Sequence, residues 1–320
     1  MLNTIIIDGM SFALPLLIMA IGGIYSEKSG ITNLALEGLQ GFGAFGGALF
    51  AVMAVSFWGM EGKSVYYLSL LLAMIVGMIY SMLHALLCIK FKADQVISGV
   101  VINILALALT TFLTKQINKV VFNNPSDKFV LDVSDRITIP YLSQIPIIGG
   151  FFSKIYPFEI IIIVIAFIAW YILYKTKYGL HLRACGENPN SADAAGIDVA
   201  KTRFIAVMFS GALSGLAGIS FAYSISTNFS SALFVGYGYL SIAALIFGNW
   251  TIIPTLGACL LFGFAKSAGF QFIQLLKLPS SYSNLIMVLP YLLTLLLLVF
   301  FSKSNRAPRA LGEIYDKGKR

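Results

Sequence analysis

Apolar residues in this chain come in long runs that are hydrophobic on every side, without the period of a half-buried helix or strand. Ile160–Tyr174 with its flanks, Phe204–Ile225 and Leu285–Phe301 carry almost no charge. A helix rises about 1.5 Å per residue, so runs of roughly 17 to 25 residues cross a hydrocarbon layer of about 30 Å. A closed barrel would need alternating strands of about ten residues with polar inward positions, which these runs do not offer. The pattern predicts an all-α, polytopic transmembrane bundle forming a single domain over 1–320. About nine spans are expected, near 7–25, 34–58, 65–88, 96–114, 157–174, 204–225, 236–249, 252–273 and 284–302. The second is broken by glycines and the seventh is short.

Composition agrees with this reading. Hydrophobic residues make up 58% of the chain and charged residues 11%, less than half the share in a soluble domain. The net charge of +8 would suggest nucleic acid in a soluble protein, but here the bias of Lys and Arg towards cytoplasmic loops accounts for it. A lipid bilayer, and no nucleic acid, is the expected partner. The loop 175–203 carries Lys175, Lys177, Arg183, Lys201 and Arg203, and the tail 303–320 carries Lys303, Arg306, Arg309, Lys317, Lys319 and Arg320. Both are expected in the cytoplasm, with the N-terminus outside. The region 115–156 is expected as an external loop between a four-span and a five-span half, although it holds Lys115, Lys119, Lys128, Arg136 and Lys154. Long loops translocate with less regard to charge. No cleavable signal peptide is evident, and Asn228-Phe229-Ser230 is a chance sequon. Cys88, Cys185 and Cys259 are odd in number and far apart, which fits packing rather than disulfides or metal.

Catalytic chemistry is scarce. His84 and His181 have no carboxylate or cysteine at ligand spacing, and no G-x-x-x-x-G-K-[ST] segment occurs, so any ATP must be bound by another subunit. Neither an enzyme nor a cofactor or metal site is expected. The informative polar segment is Arg183-Ala-Cys-Gly186-Glu187-Asn188-Pro189-Asn-Ser-Ala192-Asp-Ala-Ala195-Gly196-Ile197-Asp198. Asn188 suits an N-cap, Pro189 the first helical position, and Gly196 a left-handed terminus, so the segment predicts a short helix over 189–195. Asp198 is placed to cap the span that follows. Ala192, Ala194 and Ala195 would leave a surface that another protein can approach closely, although an ordinary structured loop fits the composition as well.

That segment resembles the cytoplasmic signature of bacterial ABC importer permeases of the ribose and simple-sugar type, a family akin to the branched-chain amino acid permeases. Ser26-Glu-Lys-Ser-Gly30-Ile-Thr-Asn33-Leu-Ala-Leu-Glu37-Gly38, followed by Gly41, Gly43 and Ala44, is similar to the opening of the nucleoside-importing branch. So is Arg306-Ala-Pro308-Arg-Ala-Leu311-Gly312-Glu313-x-Tyr315 in the tail. The resemblance implies that Arg183, Gly186, Glu187, Asn188, Pro189, Ala192, Ala195, Gly196 and Ile197 belong to a coupling helix seated on an ABC ATPase subunit. It also implies a second permease chain, commonly a different one, an extracytoplasmic lipoprotein that delivers the solute, and a bacterial plasma-membrane location.

Transport sites often lie where Gly or Pro interrupts helices in corresponding parts of two halves. Gly30–Gly47 and Phe229–Gly248 are such segments. Asn33, Asn103, Asn228, Tyr237 and Tyr239 can offer hydrogen bonds and ring faces to a nucleoside, and the asparagines can equally glue helices together. Glu37 is either a solute contact or a group that caps and orients a broken helix near the cytoplasmic face. Lys266 is expected too far along its helix to pair with Glu37, snorkelling outward or facing the pore. Gly43-x-x-x-Gly47 and Gly211-x-x-x-Gly215 read as helix packing. A stand-alone secondary transporter would share the membrane features but gives no reason for the capped helix at 189–195. A membrane enzyme would need a polar catalytic cluster that the sequence lacks.

Overall fold

The computed structural model describes residues 2–132, 136–145, 148–277, 279, 288, 291–292 and 306–317. Its helices are α1 (Leu2–Lys28), α2 (Leu36–Trp58), α3 (Lys63–Ala85), α4 (Gln95–Val120), α5 (Pro157–Lys175), α6 (Lys177–Glu187), α7 (Pro189–Ala194), α8 (Val199–Phe221), α9 (Tyr237–Phe247) and α10 (Ile252–Leu275). Single π-helical turns carry α3 on through Leu86–Lys90 and α8 through Ala222–Ser226. Among the described residues seven helices are long and apolar enough to cross a membrane: α1 to α5, α8 and α10. The expected ninth span, 284–302, lies outside the described residues apart from Val288, Tyr291 and Leu292.

Local chemistry sets the helix starts. Asp94 accepts from the amides of Val96 and Ile97 to cap α4, and Pro157 opens α5 where its missing N–H costs nothing. Glu159 folds back to accept from the amide of Tyr156 and also takes the Ser11 hydroxyl of α1 at 2.8 Å, which satisfies its buried carboxylate.

Helices α1 and α8 form the centre, whereas α4 and α5 leave most of their length exposed. The exposed face of α4 is apolar, with Ile97, Val101, Ile104 and Phe112 outward, as suits a surface in lipid. At the crossing of α2, α3 and α8 the backbones nearly touch. A Cβ at Gly215 would strike the carbonyl of Ala73, and one at Gly43 would strike Gly215 itself, so both glycine pairs are packing devices.

The seventh expected span is corrected. Its helix, α9, has 11 residues and reaches about 16 Å, only half a bilayer core. The chain that leads into it is irregular. Asn228–Phe229 pairs antiparallel with Phe129–Val130, tying the region 115–156 to the second half of the chain. From there the chain runs through a 3-10 turn at Ser231–Phe234 into α9, and emerges where Trp250 donates to Glu27 in the last turn of α1. Irregular backbone at such depth persists only where protein satisfies its polar groups.

Candidate functional site

At the end of the bundle that carries 175–203, the chain turns through α6 and α7 as the local signals predict. Asn188 accepts from the amide of Ser191, Pro189 occupies the first position of α7, Gly196 has φ +82°, and Asp198 accepts from the amide of Lys201 to start α8. The faces differ in part from expectation. Pro189 and Ala192 point inward, where Ala192 packs with Cys185 and Val199, so Ala192 is not part of the free surface. Arg183 is half-buried, donates to the Gly179 carbonyl and lies over the Tyr174 ring. A Cβ at Gly186 would strike the Lys28 carbonyl, so α6 rests on the end of α1. What stays outward is Glu187, Asn188, Asn190, Ser191, Ala194, Ala195 and Gly196, with Ile197 half-buried. Burial pushes the Cys185 thiol above its ordinary value against the pull of Arg203, which marks it as an inert packing group.

The tail returns to this element. Ala310 donates to the Gly186 carbonyl, Gly312 to the Gly30 carbonyl, and Tyr315 packs against the Cys185–Ala192–Val199 cluster. Lys317 pairs with Asp193 at 3.3 Å and Asp316 with Lys92 at 2.8 Å. Arg203 lies beneath the strap. Its Nε donates to the Ser29 carbonyl at 2.9 Å and its Nη1 to the Glu313 carbonyl at 3.2 Å, with the Cys185 carbonyl at 3.5 Å from Nη2. The guanidinium thereby sits where α1 and α6 both present their C-terminal partial negative charge.

From Ser29 the chain climbs into the bundle without helix before α2 begins. Thr32 holds it on both sides: its amide donates to Gln95 and its carbonyl faces Nε2 of His84. A carbonyl only accepts, so the His84 proton is on Nε2 and Nδ1 accepts from Ser98. Asn33 bonds the Ser210 hydroxyl and the amide of Ala35. The result places the start of α2 deep in the bundle, not near the loop end as expected for Glu37.

There two helix starts meet. Asn103 on α4 accepts from the amide of Gly38 at 2.7 Å and donates to the Leu34 carbonyl, capping α2 from another helix. Glu37 on α2 accepts from the amide of Gly236 at 2.7 Å and faces those of Gly238 and Tyr239, capping α9 in turn. These two interrupted segments are the ones singled out in the two halves. With Tyr239, whose hydroxyl lies 3.3 Å from Asn103, they line a cavity of about 160 Å³ beside Thr110 and Ser231. The other candidates lie elsewhere. Asn33 is fully buried away from this cavity, and Asn228 bonds its own turn through Ser226. Tyr237 points to the opposite side of α9, where it accepts from Lys266. Lys266 does not snorkel. It is buried, and its ammonium stands 3.8 Å from the Phe12 ring centroid.

A family model described as branched-chain amino acid transport system / permease component matches residues 5–298, the bundle and both interrupted segments. The chain belongs to this permease family. The permease is 42% identical to the guanosine ABC transporter permease protein NupQ of Bacillus subtilis, covering all of this chain and 98% of that one. It is 37% identical to the nucleoside ABC transporter permease protein NupC of Lactococcus lactis, covering 99% and 98% of the two chains. A more distant relative, the guanosine ABC transporter permease protein NupP of Bacillus subtilis, is 26% identical over 78% of this permease and 69% of its own length. As a multi-pass permease component, the chain is the non-catalytic membrane part of a transport system.

Sequence reasoning passed over Arg203 as one more loop cation, and took Glu27 as part of the Ser26–Gly38 segment without assigning it a role. Glu27 is buried at the end of α1 and accepts the Trp250 indole N–H. It stands at the polar end of the first apolar run, between Ser26 and Lys28, where nothing in the sequence sets it apart from a solvated helix end. Nothing in the neighbourhood of Arg203 in sequence points to its three carbonyl partners.

Proposed function

We propose that this permease forms one half of the membrane pathway of an ABC importer that carries nucleosides. The observation that carries the reading is the full-length likeness to two nucleoside permeases, 42% and 37% identical end to end. The geometry of α6 and α7 supports it. A capped helix with Ala194, Ala195 and Gly196 outward is fixed to α1, α8 and the tail, and so can pass a push from an ATPase into the bundle. In this reading the loop end is cytoplasmic and the N-terminus faces outside. ATP binds only to the partner ATPase, and a lipoprotein binding protein delivers solute at the opposite end. The second permease chain is a different one, as the presence of both NupQ and NupP in one organism suggests. The caps joining Asn103, Glu37 and α9 line the pathway and give it shape.

The test is uptake of labelled guanosine into proteoliposomes holding the permease with its partner chains. Uptake that needs ATP and the binding protein is expected, and uptake sustained by an ion gradient without ATP would sink the reading. In the same assay Ala195→Trp, which adds bulk to the outward face of α7, should cut uptake and stimulated ATP hydrolysis severalfold while the purified chain stays monodisperse. Wild-type coupling in that variant would remove α7 from the docking surface.

A further inference from the structure

On the side of α9 away from Glu37 lies a larger cavity, about 570 Å³, between α1, α8, α9 and α10. Its size is within the range of about 300–1,000 Å³ typical of small-molecule sites. Three groups in it are short of partners. Lys266 is 8% exposed and donates to the Tyr237 hydroxyl at 2.7 Å, and none of the ion pairs among the described residues includes it. Its ammonium rests on the rings of Phe12 and Tyr237, 3.8 and 4.4 Å from their centroids, leaving donor capacity beyond its one hydrogen bond. The Ser267 and Ser224 hydroxyls line the same space, buried and without a hydrogen-bond partner among the described residues. Nearly all buried polar groups in folded proteins are paired, so three under-used ones around one cavity point to something that fills it. An ionisable side chain held inside a membrane bundle at such cost is by default functional.

We propose that this cavity is a solute site within the permease chain itself, and that it takes a planar, uncharged heteroaromatic solute of the nucleoside class. Lys266 donates to a carbonyl or ring nitrogen of the base. Tyr237 and Tyr291 offer ring faces, and Ser224, Ser267 and Gln271 meet the remaining polar atoms. Asp8 and Arg136, both exposed, mark the open end with opposite charges that offset one another, so the mouth does not select an ion of either sign. Helix α1 supplies Asp8, Ser11 and Phe12 at helical spacing, which sets them on one face along the depth of the cavity. The ligand class rests on the nucleoside reading above; the existence of the site rests on the three under-used groups.

The experiment places a reporter at the floor of the cavity. The full chain carrying Ser267→Cys, held in lipid nanodiscs, is labelled with a small methanethiosulfonate. The unsubstituted chain is the blank, since Cys88, Cys185 and Cys259 are all buried. Guanosine should slow labelling severalfold, and ribose, leucine and guanosine 5′-monophosphate should not. Adding Lys266→Met should raise the half-protecting guanosine concentration by about tenfold, and Lys266→Arg by less, as loss of a charge-assisted hydrogen bond requires. Ser224→Cys repeats the measurement from the α8 side should the first reporter misfold. Failure of labelling in both reporters would show the cavity closed and overturn the site. So would the absence of protection by guanosine, or half-protection unmoved by Lys266→Met. Protection by leucine or the monophosphate in place of guanosine would overturn the ligand class. Labelling reads binding alone, so failure of guanosine uptake in proteoliposomes counts against the transport reading and leaves these outcomes separately legible.

Discussion

Replacing Arg203 with methionine is expected to reduce uptake by the assembled transporter to background and to free the tail. The side chain is 2% exposed and closes a gap between three backbone segments: the end of α1 at Ser29, the end of α6 at Cys185 and the strap at Glu313. No carboxylate side chain is needed there, because the carbonyls at two helix C-termini already carry partial negative charge. Methionine fills similar volume but leaves the carbonyls buried and unpaired, at about 1–3 kcal/mol for each orphaned group. Arg203→Lys keeps the charge, yet a single ammonium cannot reproduce a planar fork that reaches three acceptors, so an intermediate loss is expected. Three measurements follow the change: melting temperature in nanodiscs, ATP-dependent uptake, and tryptic cleavage after Arg306 and Arg309. A methionine variant whose tail resists trypsin like the native chain would show that the strap holds without the guanidinium, through its remaining contacts at Ala310, Gly312, Tyr315, Lys92–Asp316 and Lys317–Asp193.

The contrast between Asn188 and Arg203 shows what a sequence of this kind discloses. Asn188, Pro189, Gly196 and Asp198 act on amides three residues away or on their own backbone angles, so their roles follow from local spacing. Arg203 acts on carbonyls 174 and 110 residues away along the chain, and its charge gave information only about orientation. The long spans were legible because hydrophobic length alone specifies them. Tyr237–Phe247 was legible as a short apolar helix within 236–249 but not as one too short to cross, since a run of apolar residues reads the same whether it crosses fully or follows irregular chain. Interruptions by glycine did single out both broken segments. Their meeting through Glu37 and Asn103 depends on tertiary placement that no period encodes. Of six candidate pathway residues, the structure gathers Glu37, Asn103 and Tyr239, while Tyr237 turns to the second cavity with Lys266, Asn33 ties the start of α2 to Ser210 on α8, and Asn228 stays with its own turn.

Glu37→Ala is expected to be nearly as damaging as loss of Arg203, and Glu37→Gln mild. The carboxylate serves the first amides of α9 from a half-buried position inside the bundle, so alanine removes the acceptor that the helix start uses. The cost, about 1–3 kcal/mol for each unsatisfied amide, falls on the element that separates the two cavities, so melting temperature and uptake should drop together. Glutamine keeps an acceptor oxygen at the amide of Gly236 and loses only the favourable interaction of a negative charge with a helix N-terminus. A solute contact would behave differently. If Glu37 bonded the solute, glutamine would change which nucleosides are carried, and alanine would weaken transport while sparing the melting temperature. Reading stability and solute preference in the same two variants therefore separates a cap from a ligand, and a stable Glu37→Ala protein with altered preference would move Glu37 from scaffold to pathway.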